Sequence, residues 1–229
     1  MGKMKMNKLL VEEDKLDISK GLYNVNFKKN STIKISGEVT IESIIDSNVS
    51  LEFNLDNQTI LKCSLVIYLQ KNAKITFNLN DSSSLEFNLL IINEKNNKYE
   101  INVNMLGNNS RSLVKMHAIN KGEKDLLDVI CNGYVKDKTI NNDLKEDLKG
   151  LVLYNDTIYI RPNMLIDTNE VTANHLVAIS SFNLEELFYL TSRGLDLSSA
   201  KELLATSFIM RLVPDSCQNR VKMEVINNE

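Results

Sequence analysis

The side chains most able to do chemistry in this sequence are three cysteines and two histidines, and they are widely spaced. Cys63, Cys131 and Cys217 are odd in number and far apart, which fits neither a disulfide framework nor the paired spacing of zinc ligands. Cys63 and Cys131 lie in apolar segments, where a free thiol behaves as a small hydrophobic side chain. Cys217 lies in a polar tail, where an exposed thiol is open to reaction. The cysteines predict a reducing, cytoplasmic environment.

The two histidines differ in what their surroundings allow. His117 lies in a strand-like segment without a partner in the sequence, and we assign it no role. His175 has two interpretations: a neutral imidazole nitrogen can bind a borderline metal ion, and a single histidine among apolar residues is commonly a hydrogen-bonded core residue. The local sequence leaves both interpretations open.

Composition excludes several classes of function. The chain has 229 residues, 43% of them hydrophobic, with 27 basic and 30 acidic residues and a net charge of -3. This near balance gives no long-range attraction to nucleic acid or to an anionic membrane. There is no run of about 18 apolar residues, so no membrane-spanning helix is predicted. No phosphate-binding Gly-x-x-x-x-Gly-Lys-[Ser/Thr] loop is present either, so the chain is not expected to hydrolyse ATP.

Apolar and polar residues alternate through most of the chain, from about residue 22 to residue 180. The pattern is clear at 49–55, 75–79, 85–89 and 101–105, and clusters of Asn, Asp, Ser or Gly separate these segments. Alternation of period two is typical of β-strands, and the polar clusters are typical of turns. Because no helical pattern interrupts the strands, βαβ units are disfavoured and a sandwich, a barrel or a β-solenoid remains.

The turn residues favour the solenoid weakly. Two-residue hairpin turns favour Asn-Gly or Asp-Gly, and Asn132-Gly133 is the only such dipeptide in the sequence, so tight antiparallel hairpins are disfavoured. Asparagine suits the corners of a parallel β-helix, because it tolerates left-handed backbone angles and its amide can bond the next coil. An AT-rich genome would also enrich Asn and Lys, so composition alone does not decide.

The pattern becomes helical at Asn183. Asn183 and Glu186 have the spacing of a capping box, and Gly194 stands where a helix C-cap is expected. A second helix is predicted to begin near Ser198 and to stop before Pro214. We therefore predict a mainly β chain: a right-handed parallel β-helix over residues 1–182, with a loose N-terminus at 1–20, closed by a two-helix hairpin over 183–213 and followed by a flexible tail over 214–229.

Three segments resemble the C-terminal part of SufB/SufD proteins: Arg161 to His175, Phe182 to Leu195, and Ala200 to Leu204. The most specific block is Leu-Phe-Tyr-Leu-Thr-Ser-Arg-Gly at 187–194, whose spacing from His175 matches the family. The resemblance implies a parallel β-helix. It also implies that two subunits pair through their last coils and that the helical region docks an ABC-type ATPase.

In this family, cluster chemistry at the subunit interface uses a cysteine of the SufB-type subunit and a histidine of the SufD-type subunit. His175 matches that histidine by its position in the motif, and the SufB-type Cys-Gly-x-His motif has no counterpart at 156–169. The resemblance therefore implies a SufD-like subunit. The usual Gly-Ala-Thr after the histidine is replaced by Leu176-Val177-Ala178, which are bulkier and apolar.

The resemblance implies a non-catalytic scaffold that holds no stable cofactor and at most a transient iron–sulfur cluster at a subunit interface. The expected partners are a SufC-like ABC-type ATPase and either a SufB-like paralogue or a second copy. The expected ATPase-docking residues are on the hairpin: Leu187, Phe188, Tyr189, Arg193, Gly194, Leu203 and Leu204. Structural roles are open for Phe188, Tyr189 and Arg193, which could instead pack the hairpin onto the β-body or bond carbonyls near a helix end.

Two other functions are compatible with a β-helix: a polysaccharide lyase or hydrolase, and a purely structural adaptor. A polysaccharide-cleaving enzyme needs clustered carboxylates and aromatic residues that stack on sugars. The chain has no Trp and only 6% aromatic residues, which disfavours that enzyme.

Overall fold

The computed structural model describes residues 6–68, 72–122, 124–153 and 156–223. In these residues thirteen β-strands precede three α-helices and one 3-10 helix. The strands are β1 Met6–Val11, β2 Lys15–Phe27, β3 Ser31–Ile45, β4 Val49–Leu55, β5 Ile60–Ile67, β6 Ala73–Leu79, β7 Ser84–Asn93, β8 Asn97–Met105, β9 Arg111–Asn120, β10 Leu126–Val135, β11 Asn142–Val152, β12 Thr157–Ile166 and β13 Val171–Ser180. The helices are α1 Leu184–Ser192, α2 Leu197–Met210, the 3-10 turn Asp215–Cys217 and α3 Gln218–Val221.

All strand pairs are parallel, and each strand from β4 onward pairs with the strand two places along the chain. The even strands β4 to β12 therefore form one face of a solenoid, and the odd strands β5 to β13 form the other. Each coil contributes one strand to each face and requires a crossover rather than a hairpin turn. The predicted parallel β-helix is confirmed, and Asn132-Gly133 lies inside β10 instead of in a turn.

The long strand β3 joins the two faces. Its first part, Ser31 to Ile35, pairs with β4, and its last part, Glu38 to Ile45, pairs with β5. Between these parts Gly37 has a φ of 73°, in the left-handed region that side chains disfavour. The chain therefore turns from one face to the other within a single strand.

Inward-facing residues of both faces fill the interior of the solenoid with one apolar core. Phenylalanine rings pack within it: Phe53 and Phe77 of successive even strands stack with ring centroids 5.0 Å apart, and Phe87 of the odd face contacts Phe77 across the interior with centroids 4.7 Å apart. Because strands in register are about 4.8 Å apart, equivalent inward residues of successive coils lie directly over one another. The alternation in the sequence thus becomes columns of stacked side chains.

Asparagines tie successive coils together at one corner. The side-chain oxygen of Asn48 accepts a hydrogen bond from the backbone N–H of Asn72 at 3.0 Å, and Asn72 accepts one from Lys98 at 2.9 Å. Asn30 and Asn96 make the same bond to the following coil. This is the corner role expected of asparagine. Among the described residues, the left-handed non-glycine residues at other corners include two asparagines, Asn109 and Asn141, and four residues of other types: Gln58, Ser82, Lys124 and Lys138.

The second helix and the segment that follows it lie against the outside of the odd-strand face. Ile209, Val213, Cys217 and Val221 form a second apolar cluster with outward residues near the ends of the odd strands, including Leu90. The hairpin was expected to close the open end of the solenoid. That expectation is wrong, because the continuous apolar runs at the strand ends provide a lateral surface that the second helix and the tail cover instead.

Two predictions for the chain ends also need correction. The N-terminus was expected to be loose over residues 1–20, but Met6–Val11 and Lys15–Phe27 are strands of the solenoid. The tail was expected to be flexible from Pro214 onward, but Cys217 and Val221 are buried against the β-body. Residues 1–5 and 224–229 of these two predictions lie outside the described residues.

Candidate functional site at the open end of the solenoid

The last coil ends the sheet with two edge strands. Among the described residues β12 pairs only with β10, and β13 pairs only with β11. The coil also exposes large apolar side chains: Tyr159 is 54% exposed, Leu165 61%, Leu176 58% and Ile179 43%. Open strand edges with exposed apolar residues are typical of a surface that another chain covers.

His175 lies in the middle of β13 at this open end. It is in register with Glu146 of β11, and Glu146 faces the interior. Because residues in register on parallel strands point the same way, the His175 side chain belongs to the same inward column. In the described residues no further strand pairs with β13 on its other side, and His175 is exposed. This placement contradicts the alternative that His175 is a buried core histidine.

Below His175, a thiol and a carboxyl group meet inside the solenoid. The Cys131 thiol on β10 donates a hydrogen bond to Glu146 Oε1 on the opposite face at 3.2 Å. Glu146 is buried, and its Oε2 has no hydrogen-bond partner among the residues that the structure describes. Gly133, two residues after Cys131, makes room for Leu144 beside the pair, because a Cβ there would lie 2.5 Å from Leu144 Cδ2. Sequence reasoning missed Glu146 because the partner across the interior depends on how the coils stack.

Burial shifts the proton affinity of both groups. It raises the pKa of the Cys131 thiol well above its ordinary value, and the Glu146 charge and the hydrogen bond to Glu146 add to the effect. Burial also raises the pKa of Glu146, while the hydrogen bond from Cys131 and the nearby His175 oppose this rise. In the part of the chain that the structure describes, no three His, Cys, Asp or Glu side chains converge as a preformed metal site.

The other two cysteines are also buried. Burial raises the pKa of Cys63 and, with a smaller opposing contribution from Ser216, that of Cys217. Cys63 is the small core side chain that the sequence predicts. Cys217 was predicted to be an exposed, reactive thiol, and this is wrong because the 3-10 turn places it in the second apolar cluster.

Capping residues build the helical hairpin, and those predicted at Asn183 and Gly194 are confirmed. Asn183 Oδ1 accepts the N–H of Glu185 at 2.9 Å at the start of α1, and Asp196 caps α2 by accepting the N–H of Ser199 at 2.9 Å. Gly194 has a φ of 101°. The N–H of Leu195 bonds to Leu190 O and that of Gly194 to Thr191 O, which is the Schellman arrangement.

The hairpin exposes most of the residues predicted to dock a partner. Phe188, Tyr189, Arg193, Gly194 and Leu203 are exposed, Leu204 is half-buried and Leu187 is buried. Leu187 therefore belongs to the interior of the hairpin and is not available on its surface. The Arg193 guanidinium lies 5.3 Å from the centre of the Tyr189 ring, which orders both side chains on the exposed side of α1.

His117, which has no predicted role, connects α2 to the β-body. Its Nδ1 lies 2.9 Å from the Phe208 carbonyl oxygen, and its ring stacks on the Phe208 ring with centroids 4.2 Å apart. A carbonyl only accepts, so Nδ1 carries the proton. The apolar residues beside His117, Ala118 and Ile119, were a usable signal, because a run that breaks alternation indicates a strand covered on both sides.

None of the helices in the described residues is long and apolar enough to cross a membrane.

Comparisons with known proteins identify the family. Residues 79–208 match the family model described as SUF system FeS cluster assembly, SufBD core domain, and this range runs from the end of β6 into α2. One curated relative, Protein ABCI7, chloroplastic, from Arabidopsis thaliana, is 34% identical over 74 residues, which is 29% of this chain and 16% of the relative's length. The family match covers more than half of the chain and includes both the last coil and the hairpin. The chain therefore belongs to the SufB/SufD family of iron–sulfur cluster assembly proteins.

Proposed function

We propose that the chain is a non-catalytic, SufD-type scaffold subunit of a complex that assembles iron–sulfur clusters. It pairs through its last coil with a SufB-like paralogue or with a second copy of itself, and its hairpin docks an ABC-type ATPase. The observation that carries this proposal is the last coil, where β12 and β13 end the sheet and expose apolar side chains. The family assignment favours this function over the polysaccharide-cleaving alternative.

The open edges support pairing with another solenoid. The outer N–H and C=O groups of an edge strand have no partner in the sheet and attract a further strand. β13 has 10 residues, which extend over about 33 Å at the usual rise of a strand. A second subunit that adds its own edge there would cover Leu165 and Leu176 and would enclose His175 between the two subunits.

The exposed side of the hairpin supports docking of a partner. Aromatic residues and arginine are enriched at the centres of protein interfaces, and here Phe188 and Tyr189 are on α1 and Arg193 is its C-cap residue. Leu184 and Leu203 extend the apolar surface. Only residues 181–183 separate β13 from α1, so a partner bound to the hairpin is also close to the last coil and to His175.

His175 is the proposed contact for the transient cluster, which is a substrate of assembly and not a resident cofactor. A neutral imidazole is a suitable ligand for iron, and the exposed position of His175 on the last coil allows it to face a partner. The cysteine that family members contribute to this chemistry would then come from the SufB-type subunit.

Co-expression tests both contacts in one experiment. The chain is produced with the ABC-type ATPase and the SufB-like paralogue of the same source, purified by affinity, and analysed by size exclusion with light scattering. Leu176→Lys is expected to remove the paralogue, or the second copy, and to retain the ATPase. Leu10→Lys is the matched control, because Leu10 is 55% exposed on the strand at the opposite end of the solenoid.

Two results contradict the proposal. One is a wild-type chain that stays monomeric and binds no ATPase when all three proteins are present. The other is a loss of pairing that is as large for Leu10→Lys as for Leu176→Lys, since this would place the contact away from the last coil.

A further inference from the structure

An inward column of the odd-strand face changes from apolar to polar at the open end. In register, the column runs through Ile41, Cys63, Phe87, Val114, Glu146 and His175. The first four fill the core as apolar side chains. Glu146 therefore occupies a place where an aliphatic side chain would continue the packing, and Cys131 faces it from the other face.

The buried carboxyl group of Glu146 is expected to destabilise the fold unless something besides packing satisfies it. A buried carboxyl group is tolerated when all of its hydrogen-bonding capacity is used. Glu146 receives one bond, from the Cys131 thiol, which is a weak donor, and its Oε2 is buried without a partner. Other carboxyl oxygens of the described residues also lack a hydrogen-bond partner, but that of Glu146 lies beside the Cys131 thiol and in the column that ends at the exposed His175, where a ligand would satisfy it.

We infer that Cys131 and Glu146 are the inner donors of a binding site for one thiophilic divalent cation, with His175 as the outer donor. Sulfur, carboxylate oxygen and imidazole nitrogen together suit Fe²⁺, Zn²⁺ and Co²⁺ and are a poor set for Mg²⁺ or Ca²⁺. The two inner donors are already 3.2 Å apart. His175 is the next residue of the same inward column and is exposed, so in the proposed site it completes the donor set from the open end.

Cation binding at this site is a simple exchange of protons for metal. The Cys131 S–H bond breaks and its proton goes to solvent, as does any proton on Glu146, while metal–sulfur and metal–oxygen bonds form. Nothing is oxidised or reduced. The thiolate and the carboxylate together balance the charge of the cation, which removes the cost of a net charge in an apolar interior. The cation enters from the open end, past His175.

The inference deepens the proposed function, since it adds two interior residues to the end of the solenoid that His175 occupies. It is tested on the isolated chain, without a paralogue or an ATPase. A failure of cation binding is therefore distinguishable from a failure of pairing or docking.

The experiment is an anaerobic titration of the purified full chain with Co²⁺, followed by the sulfur-to-cobalt charge-transfer band in the near ultraviolet. One equivalent is expected to produce the band. Cys131→Ala is expected to abolish the band. Glu146→Gln and His175→Ala are each expected to keep the band and to weaken Co²⁺ binding by about tenfold or more. Loss of a residue that hydrogen-bonds a metal ligand already weakens binding by about that factor, and loss of a ligand should cost at least as much. Cys63→Ala is the matched control, since it removes an equally buried thiol from the same interior.

Three results overturn the inference: no charge-transfer band in the wild-type chain, a band that survives Cys131→Ala, or Glu146→Gln binding Co²⁺ as tightly as the wild type. Circular dichroism confirms the fold of each variant. Glu146→Gln preserves the shape of the side chain and so provides an answer even where Cys131→Ala destabilises the core.

Discussion

The contact between His117 and Phe208 gives a prediction whose size follows from the structure. His117→Ala removes the hydrogen bond to the Phe208 carbonyl, made at 2.9 Å, and the stacked ring contact. A buried carbonyl that loses its donor costs about 1–3 kcal/mol, and an aromatic contact contributes about 0.5–1.5 kcal/mol. We expect the attachment of α2 to the β-body to weaken by about 2–4 kcal/mol, with little change in the solenoid itself.

Amide hydrogen exchange measures this loss locally. Since each 1.4 kcal/mol is about a factor of ten in an equilibrium, the amides of α2 are expected to exchange roughly 30- to 1000-fold faster in His117→Ala. Lys115→Ala is the control: Lys115 is on the same strand and the same side, and its exposed ion pair with Glu86 is worth less than about 1 kcal/mol. Unchanged protection of α2 in His117→Ala would refute the attachment, as would uniform loss of protection in β4 to β8.

Three further outcomes follow from the same structure. Burial lowers the pKa of His117 from 6.5; Lys149 and Arg211 add to this shift, and the Phe208 carbonyl and Asp147 oppose it. Because the unfolded state then binds the proton more readily, the attachment of α2 is expected to weaken as pH falls below about 6.5. Amide exchange of α2 at pH 7.5 and 5.5 measures this, and His117→Ala is expected to show no such pH dependence. The double variant Phe188→Ala and Arg193→Ala is expected to weaken ATPase binding, measured by calorimetry, at least about tenfold. Ile140→Ala is the control: Ile140 is also exposed, and its substitution is expected to leave ATPase binding unchanged. His175→Ala is expected to reduce the yield of clusters in the reconstituted complex, and a normal yield would remove His175 from the proposed contact.

Short sequence patterns correctly predicted the strands of the solenoid and the ends of the first helix. The alternation at 49–55 matches the strand Val49–Leu55, and Asn183 and Gly194 mark the ends of α1 as expected. These features depend on residues a few positions apart, and the rules of strand alternation and helix capping act at that distance. The family motif then located His175 and the hairpin without further structural information.

Contacts between distant residues were not predictable in this way. Cys131 meets Glu146 only because successive strands alternate between the two faces of the solenoid, and no periodicity in the sequence reports which residues face each other. His117 and Phe208 are 91 residues apart. The position of the helices was partly encoded, because the apolar run Leu89 to Ile92 in β7 predicts a strand buried on both sides. The apolar run indicates that another part of the chain covers the outer side of β7, and it does not identify which part.

The path of the chain after α2 determines what a partner on the hairpin could move. Beyond Phe208 the tail crosses the odd-strand face toward the first coils, where Asn24 donates a hydrogen bond to Ser216 at 3.1 Å and Arg220 donates one to the Tyr68 hydroxyl at 3.2 Å.

The hairpin is thus held at one end by an attachment that spans several coils, and at the other end by the three residues that follow β13. β13 is an edge strand with one neighbour and few buried side chains, so it is the weaker of the two attachments. A displacement of the hairpin is therefore expected to deform the last coil, where His175 lies, before it disturbs the flank.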